Sequence, residues 1–305
     1  MSDSVIEAEQ VVKRFGTKTV LDGLTLRIPQ GRVTGLVGTN GAGKSTLIKC
    51  LLGLLRPTEG SCRILGRDSW SLTDVEKEWV GYVPQEIQLY PWMKVKHLVR
   101  YVGAFYPTWD QPWVETLLDR WELPREDRFG PLSVGQKQKL ALVLALGHHP
   151  KLLILDEPVA SLDPVARRRF LESILAIAED QQHTILFSTH ITSDLERVAS
   201  HVAILKEGRI VYDDELDLLK DRVKRLRIES SRDLPPSFSI TGSLRTEVRG
   251  RHALVAVSRI DDALIDDIEQ RWQATVAVED LNLEEIFLEM HDGVPPVPTG
   301  TASPV

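Results

Sequence analysis

The 305-residue sequence has only two cysteines and no excess of positive charge. Cys50 and Cys62 lack the spacing of a metal site or a redox motif, so we expect both to be reduced core residues of a cytosolic protein. Lys and Arg number 37 against 44 Asp and Glu residues, which gives a net charge of -7. An acidic chain of this kind argues against nucleic acid as the main ligand.

Long apolar runs and a leader-like beginning are also absent. The longest apolar run, Leu140 to Leu146, is far shorter than the ~18 residues of a membrane-spanning helix. The stretch Met1 to Glu7 shows neither the basic nor the apolar region of a secretory signal. We therefore expect a protein that stays in the cytoplasm and does not cross the membrane.

The length of the chain predicts more than one domain, because 305 residues exceed what a single compact core usually holds. A basic segment from Lys220 to Arg227 marks a change in composition along the chain, and we place the domain boundary there. The prediction is a large domain at 1–220, a small domain at 221–291, and a disordered tail at 292–305. The tail is predicted from its Pro, Gly, Ser and Thr content.

A glycine-rich stretch fits the pattern of a phosphate-binding loop, G-x-x-x-x-G-K-[ST]. Its glycines let successive N–H groups point at one spot, and the helix that follows adds its positive dipole end. The apolar run Val33 to Val37 predicts a buried strand before the loop, and helical periodicity follows it, so an accidental glycine turn is disfavoured. The pattern places Lys44 on the β- and γ-phosphates of a nucleotide and the Ser45 hydroxyl on Mg²⁺. The predicted phosphate-binding residues are Gly38, Thr39, Asn40, Gly41, Ala42, Gly43, Lys44, Ser45 and Thr46.

The periodicity of apolar residues predicts an α/β fold with three additions. Residues 6–11 and 20–28 alternate as antiparallel strands do, which predicts a β-subdomain before the loop. Helical periodicity predicts an inserted helical subdomain at about 87–148, with Val95, Leu98 and Phe105 on one face. Beyond the boundary, short strands and helices predict a small α+β appendix. The core strands are predicted at 33–37, 61–65, 79–83, 151–156, 184–188, 202–205 and 209–212, and the appendix helices at 262–272 and 283–290.

Polar residues follow several of the predicted strands. Asp156 and Glu157 end an apolar strand, the pattern in which a carboxylate faces the metal ion of a nucleotide. Ser133 with Gln136 three residues later is typical of a capping box at the start of a helix. Phe15 fits either a stacking platform for an adenine ring or ordinary packing.

Taken together, these residues resemble the nucleotide-binding subunit of an ABC transporter over about residues 5–215. Val134 stands where that family usually has the first glycine of its signature, and Val159-Ala160-Ser161 departs from the usual Thr-Ser-Ala. The matching motifs are Gly38 to Ser45 (Walker A), Leu152 to Glu157 (Walker B), Leu132 to Gln136 (signature), Gln85 (Q-loop), His190 (switch histidine) and Phe15 (adenine stacking).

The resemblance implies a P-loop ATPase that uses ATP and Mg²⁺. Lys44 and the loop amides would hold the phosphates. Ser45 and Gln85 would ligate Mg²⁺ directly, and Asp156 would hold it through water. Glu157 would polarise the attacking water, and His190 would contact the γ-phosphate.

The same resemblance implies protein partners. Ser133, Gly135 and Gln136 would cap ATP bound to a second cassette, so hydrolysis would require a homodimer or a dimer with a paralogous subunit. Two short segments, Phe105 to Asp110 and Asp280 to Phe287, look most like ABC-2 type export ATPases. That subgroup implies integral membrane permease subunits and a peripheral location on the inner face of the cell membrane.

The segment Ile87 to Met93 follows Gln85 and carries apolar side chains. The resemblance implies that a cytoplasmic helix of the permease docks in a groove beside this loop, and we expect that groove to be partly exposed. The alternative to transport is a soluble ABC ATPase that acts as a scaffold or assembly factor. A GTPase is disfavoured because the chain has no Asn-Lys-x-Asp motif, and the short interval from Gly38 to Asp156 excludes a long chromosome-organising ATPase.

Overall fold

The computed structural model describes residues 4–179 and 183–292, so the predicted tail beyond residue 292 lies outside the described residues. The chain divides into two compact units, Met1–Ile210 and Val211–Val305. This division falls upstream of the boundary predicted after residue 220. Within residues 4–179 and 183–292, no helix combines the length and apolar composition that a membrane-spanning segment requires.

The strands predicted for the N-terminal unit are all present, but the one predicted at 61–65 is not a core strand, because it pairs antiparallel with the first strand of the chain. A 3-10 turn, Ser69–Ser71, precedes the second helix. The last strand continues past the division between the units. In chain order the elements are β1 (Ser4–Phe15), β2 (Lys18–Pro29), β3 (Val33–Val37), α1 (Lys44–Leu51), β4 (Glu59–Ile64), β5 (Arg67–Asp68), α2 (Asp74–Lys77), β6 (Val80–Val83), α3 (Val95–Gly103), α4 (Gln111–Arg120), α5 (Val134–Leu146), β7 (Leu152–Asp156), α6 (Pro164–Glu179), β8 (Thr184–Thr189), α7 (Thr192–Val198), β9 (His201–Lys206) and β10 (Arg209–Glu215).

Two sheets form this unit. The N-terminal sheet has the order β2-β1-β4-β5, with β1 antiparallel to both β2 and β4. The second sheet has the order β10-β9-β3-β8-β7-β6, and its strands from β9 to β6 are parallel. Every residue of β3, β7 and β8 is buried, as expected for parallel strands covered on both faces. The carboxyl ends of these strands meet at one edge, where the predicted motifs begin.

One hydrophobic core joins the two sheets through α1. Leu47 and Ile48 of this helix pack in a cluster that includes Leu36 of β3, Ile154 of β7 and Leu26 of β2. Cys50 and Cys62 belong to the same cluster, and both are free and buried, as predicted. Burial raises the pKa of both thiols, that of Cys62 to about 12. The helix after the glycine-rich loop is therefore held from both sides, which fixes the position of the loop.

The C-terminal unit is a four-stranded antiparallel sheet with helices. Its core includes Leu226, Ile228, Phe238 and Ile268. The basic segment supplies a central strand of the sheet, and its Arg225 is paired with Glu285 and Glu289. The elements are α8 (Leu216–Arg222), β11 (Lys224–Ser230), β12 (Ser243–Arg249), β13 (His252–Val257), α9 (Asp262–Trp272), β14 (Ala274–Asp280) and α10 (Leu283–Asp292), in the sheet order β12-β13-β11-β14.

Candidate active site

The glycine-rich loop joins the end of β3 to the start of α1, and its shape depends on two glycines. A Cβ atom at Gly38 would lie 2.7 Å from the carbonyl oxygen of Leu205, so a side chain there would collide with backbone. Gly43 caps α1 with a φ of 113°, in the left-handed region that favours glycine. The loop therefore runs against β9 and turns directly into the helix, where backbone N–H groups can bind an anion.

Lys44 is turned towards the loop and towards a carboxylate. Its Nζ donates to the carbonyl oxygens of Gly38 at 2.8 Å and Thr39 at 3.2 Å. The same Nζ lies 2.9 Å from Glu157 Oε1, and both side chains are only 5% exposed. A charge pair at this depth needs such additional hydrogen bonds to offset its desolvation.

Glu157 is fixed at its side chain and at its backbone. Its Oε2 lies 2.5 Å from Nδ1 of His190, a side chain that is 35% exposed. The backbone of Glu157 has a φ of 50°, which is uncommon for a residue with a side chain. Its N–H donates to the carbonyl oxygen of Ser188 at 3.1 Å and to Ser188 Oγ at 3.0 Å. Lys44, Glu157 and His190 thus form one continuous chain of contacts.

Asp156 lies beside this chain, at the end of β7. Its Oδ1 accepts hydrogen bonds from Ser188 Oγ at 2.8 Å and from Ser45 Oγ at 3.2 Å. Burial raises the pKa of Asp156, and the two hydroxyl hydrogen bonds oppose that shift. The Ser45 hydroxyl and the Asp156 carboxylate are hard oxygen donors of the kind that Mg²⁺ prefers, so this pair fits the predicted metal.

Gln85 is not brought into this group. It is exposed in the bend that follows β6, and no hydrogen bond joins it to Ser45 or Asp156 in the described part of the chain. The structure therefore gathers Lys44, Ser45, Asp156, Glu157 and His190, and leaves Gln85 on the adjoining loop.

The signature residues form the predicted capping box at the start of α5. Ser133 Oγ accepts from the N–H of Gln136 at 3.2 Å, and the N–H of Ser133 donates to Gln136 Oε1 at 2.9 Å. Val134 is 48% exposed. Gly135 faces α6, since a Cβ on it would lie 3.5 Å from the Cβ of Ala166. Among the described residues, no hydrogen bond or ion pair joins this segment to the glycine-rich loop.

Phe15 lies at the end of β1 and is 48% exposed. The ammonium group of Lys13 lies 5.0 Å from the centre of its ring. The exposure leaves ring surface available to a flat ligand, which ordinary core packing would not.

Four exposed rings, Tyr90, Trp92, Tyr101 and Phe105, form what we call the aromatic surface. Each ring contacts the next. The ring centroids are 5.3 Å apart for Trp92 and Tyr90, 5.7 Å apart for Tyr90 and Tyr101, and 5.3 Å apart for Tyr101 and Phe105. Trp92 and Phe105 are 65% and 66% exposed. The prediction that Phe105 lies on one helical face with Val95 and Leu98 was wrong, because α3 ends at Gly103 and Phe105 is exposed while the other two are buried.

Comparisons with known proteins agree on one family. Residues 21–160 match the family model described as ABC transporter. Over 224 residues the chain is 30% identical to the bacitracin transport ATP-binding protein BcrA of Bacillus licheniformis, covering 73% of each protein. It is 34% identical over 215 residues to the lantibiotic transport ATP-binding protein SrtF of Streptococcus pyogenes, covering 70% of this chain and 92% of SrtF. A solved ATP-binding subunit of an ABC transporter is similar with a TM-score of 0.64 and 29% identity, covering 72% of this chain and 92% of that one.

Proposed function

The chain belongs to the ABC transporter ATP-binding proteins, and we propose that its Lys44–Glu157–His190 cluster is the centre of ATP hydrolysis. It is the ATPase subunit of an exporter-type transporter, as its relatives named for bacitracin and lantibiotic transport indicate. Those names favour transport over a soluble scaffold or assembly factor. The observation that carries the proposal is the chain of contacts from Lys44 through the buried Glu157 to the partly exposed His190, beside the glycine-rich loop.

Each residue of the cluster has a role suited to phosphoryl transfer, in which the protein mainly positions groups and stabilises charge. Lys44 and the loop amides from Gly38 to Thr46 hold the phosphates of ATP. Glu157 orients and polarises the attacking water, and His190, which already contacts Glu157, faces the γ-phosphate.

Mg²⁺ would be held by Ser45, by Asp156 through water, and by Gln85 from its adjoining loop. The ion would neutralise charge on the β- and γ-phosphates when bound. Hydrogen bonds from Ser188 at 2.8 Å and from Ser45 at 3.2 Å hold the Asp156 carboxylate at the end of β7.

Two further groups complete the ATP site. Phe15 stacks on the adenine ring. Ser133, Gly135 and Gln136 cap ATP on a second cassette, either another copy of this chain or a paralogous subunit. In the part of the chain that the structure describes, the signature segment has no hydrogen bond or ion pair with the chain's own loop, which supports a role across a dimer.

The aromatic surface is the docking site for a cytoplasmic helix of the permease. Amphipathic helices bind apolar grooves through anchors of this kind, and aromatic side chains are enriched at protein interfaces. Docking there would place the ATPase on the inner face of the cell membrane. The loop that carries Gln85 leads directly into Tyr90 and Trp92, which links the nucleotide site to the docked helix.

The decisive test of the catalytic centre is Glu157→Gln. The amide keeps the size of the side chain but cannot polarise water, so turnover should fall by ~10²-fold or more while ATP binding persists. Size-exclusion chromatography should then show an ATP-bound dimer. Glu172→Gln, an exposed glutamate on α6, is the matched control and should hydrolyse ATP normally. Turnover close to wild type in Glu157→Gln would exclude Glu157 from catalysis.

A further inference from the structure

The last residues of β8 contribute a polar side chain that the roles above do not use. Ser188 is fully buried, with 0% exposure, on a strand that is otherwise apolar from Ile185 to Phe187. In the parallel ladder it lies opposite Asp156. Most buried side-chain hydroxyls have a hydrogen-bond partner, so the partners of Ser188 indicate what it holds.

The Ser188 hydroxyl is shared between the two carboxylate residues. It donates its hydrogen to Asp156 Oδ1 at 2.8 Å and accepts the N–H of Glu157 at 3.0 Å. A hydroxyl can do both at once because it has one donor and two acceptor positions. One oxygen atom therefore sets the distance between the carboxylate of Asp156 and the backbone of Glu157.

Glu157 needs such support because its backbone has a left-handed φ of 50°. Uncommon backbone conformations persist only where the surroundings hold them. Lys44 and His190 hold the carboxylate end of Glu157, and Ser188 holds its N–H end through both its hydroxyl and its carbonyl oxygen. The direction of the Glu157 side chain is thus set from the strand beside it.

We propose that Ser188 is a positioning residue for ATP hydrolysis, and this inference rests on the ATPase function proposed above. Its hydroxyl fixes the carboxylate of Asp156 and the backbone of Glu157 in one arrangement. Ser188 does not contact nucleotide; it acts through these two neighbours. Losing the hydroxyl should therefore slow the chemical step and weaken the response to Mg²⁺, while nucleotide binding through the glycine-rich loop continues.

The test compares Ser188→Ala and Ser188→Cys with a matched control on the neighbouring strand. Thr34 is also 0% exposed, but its hydroxyl has no hydrogen-bond partner among the described residues. Thr34→Val thus removes a buried hydroxyl of the same sheet, but one that makes no hydrogen bond to a described residue. For each full-length variant we would measure kcat, KM and the melting temperature. The affinity for a fluorescent ATP analogue would be measured with EDTA and with Mg²⁺.

We expect kcat to fall roughly tenfold to a hundredfold in both Ser188 variants, as for a lost hydrogen bond to a charged group. KM and the affinity in EDTA should stay within about twofold of wild type, because Lys44 and the loop are unchanged. The gain in affinity from Mg²⁺ should be smaller than in wild type. Thr34→Val should match wild type in kcat, KM and affinity, and it should melt no earlier than wild type because it removes an unsatisfied buried hydroxyl.

Three results would overturn the inference. The first is a Ser188→Ala kcat within about twofold of wild type, and the second is a loss of EDTA affinity as large as the loss of kcat. If Ser188→Ala does not fold, Ser188→Cys takes its place, because the thiol fills the space of the hydroxyl. The third contradicting result is a Ser188→Cys protein that is unfolded or fully active. If the wild-type chain does not hydrolyse ATP, the proposed function is wrong as well. Failure of the proposed ATPase function is therefore distinguishable from failure of the Ser188 inference alone.

Discussion

The nucleotide site and the aromatic surface depart from the usual distribution of side chains in opposite directions. Lys44, Asp156 and Glu157 are charged residues with 5% exposure or less, whereas Trp92 and Phe105 are large apolar residues exposed by about two thirds. Charged residues are almost never fully buried unless paired, and contiguous exposed apolar patches are uncommon. We propose that the first departure marks the nucleotide site and the second the docking surface for a partner.

The two regions differ in what holds them. Each buried charge has named partners, so removing one partner leaves another charge buried and uncompensated. The exposed rings contact one another, and none of the four belongs to the buried core. We therefore expect changes in the first region to alter the chemistry, and changes in the second to alter partner binding while the fold survives.

The largest expected effect comes from Ser133→Arg, which asks whether the nucleotide site is complete within one chain. The bulky cation would enter the γ-phosphate site of a partner cassette, so hydrolysis should fall by ~10²-fold or more with monomer folding and ATP binding intact. Steady-state ATPase assays and nucleotide titration measure the two properties separately.

Ser133→Ala is the control for the capping box that Ser133 forms with Gln136. A lost cap costs only ~1 kcal/mol of stability, so this variant should melt slightly earlier. If Ser133→Arg also melts slightly earlier but hydrolyses ATP normally, Ser133 only caps a helix. The proposal that Ser133 completes the nucleotide site of a partner cassette would then be wrong.

A smaller effect is expected from Lys44→Ala, which tests the buried charges directly. The change removes a charge-assisted contact to the phosphates, so ATP affinity should fall about tenfold or more. Lys49→Ala, an exposed lysine on the same helix, should bind ATP as wild type does. Equal affinity in all three proteins, measured by calorimetric titration, would mean that Lys44 does not contact the nucleotide.

The smallest effect on the isolated chain is expected from Trp92→Ala. Because Trp92 is 65% exposed, its loss should leave the melting temperature and basal ATPase activity nearly unchanged. Co-purification with the membrane subunits, or stimulation by them, should be lost. Trp121 is 8% exposed, and Trp121→Ala should cost ~3 kcal/mol or more of stability.

This pair of tryptophans distinguishes a role of Trp92 in docking from a role in the core. Gross destabilisation of Trp92→Ala, to the level of Trp121→Ala, would show that the ring is part of the core. A stable Trp92→Ala protein that binds the membrane subunits as wild type does would remove the aromatic surface from the docking interface.

Local patterns predicted the glycine-rich loop, the α/β core and the capping box, because each depends on residues that are close in sequence. The paired strands of the C-terminal unit were seen only in part, since the charges of β11 hide a central strand whose Leu226 and Ile228 are buried. Ser188 was missed because its role depends on partners 31 and 32 residues away. Phe105 was wrongly placed on the face of Val95 and Leu98 because apolar periodicity alone does not show that α3 ends at Gly103.

The two buried cysteines have a practical consequence for labelling. Thiol-reactive dyes attack the thiolate, and burial with a raised pKa keeps Cys50 and Cys62 protonated at neutral pH. A cysteine introduced at an exposed position such as Glu172→Cys should therefore be the site that reacts, with the native cysteines left in place. One fluorophore per chain would then report by energy transfer when two cassettes come together on ATP.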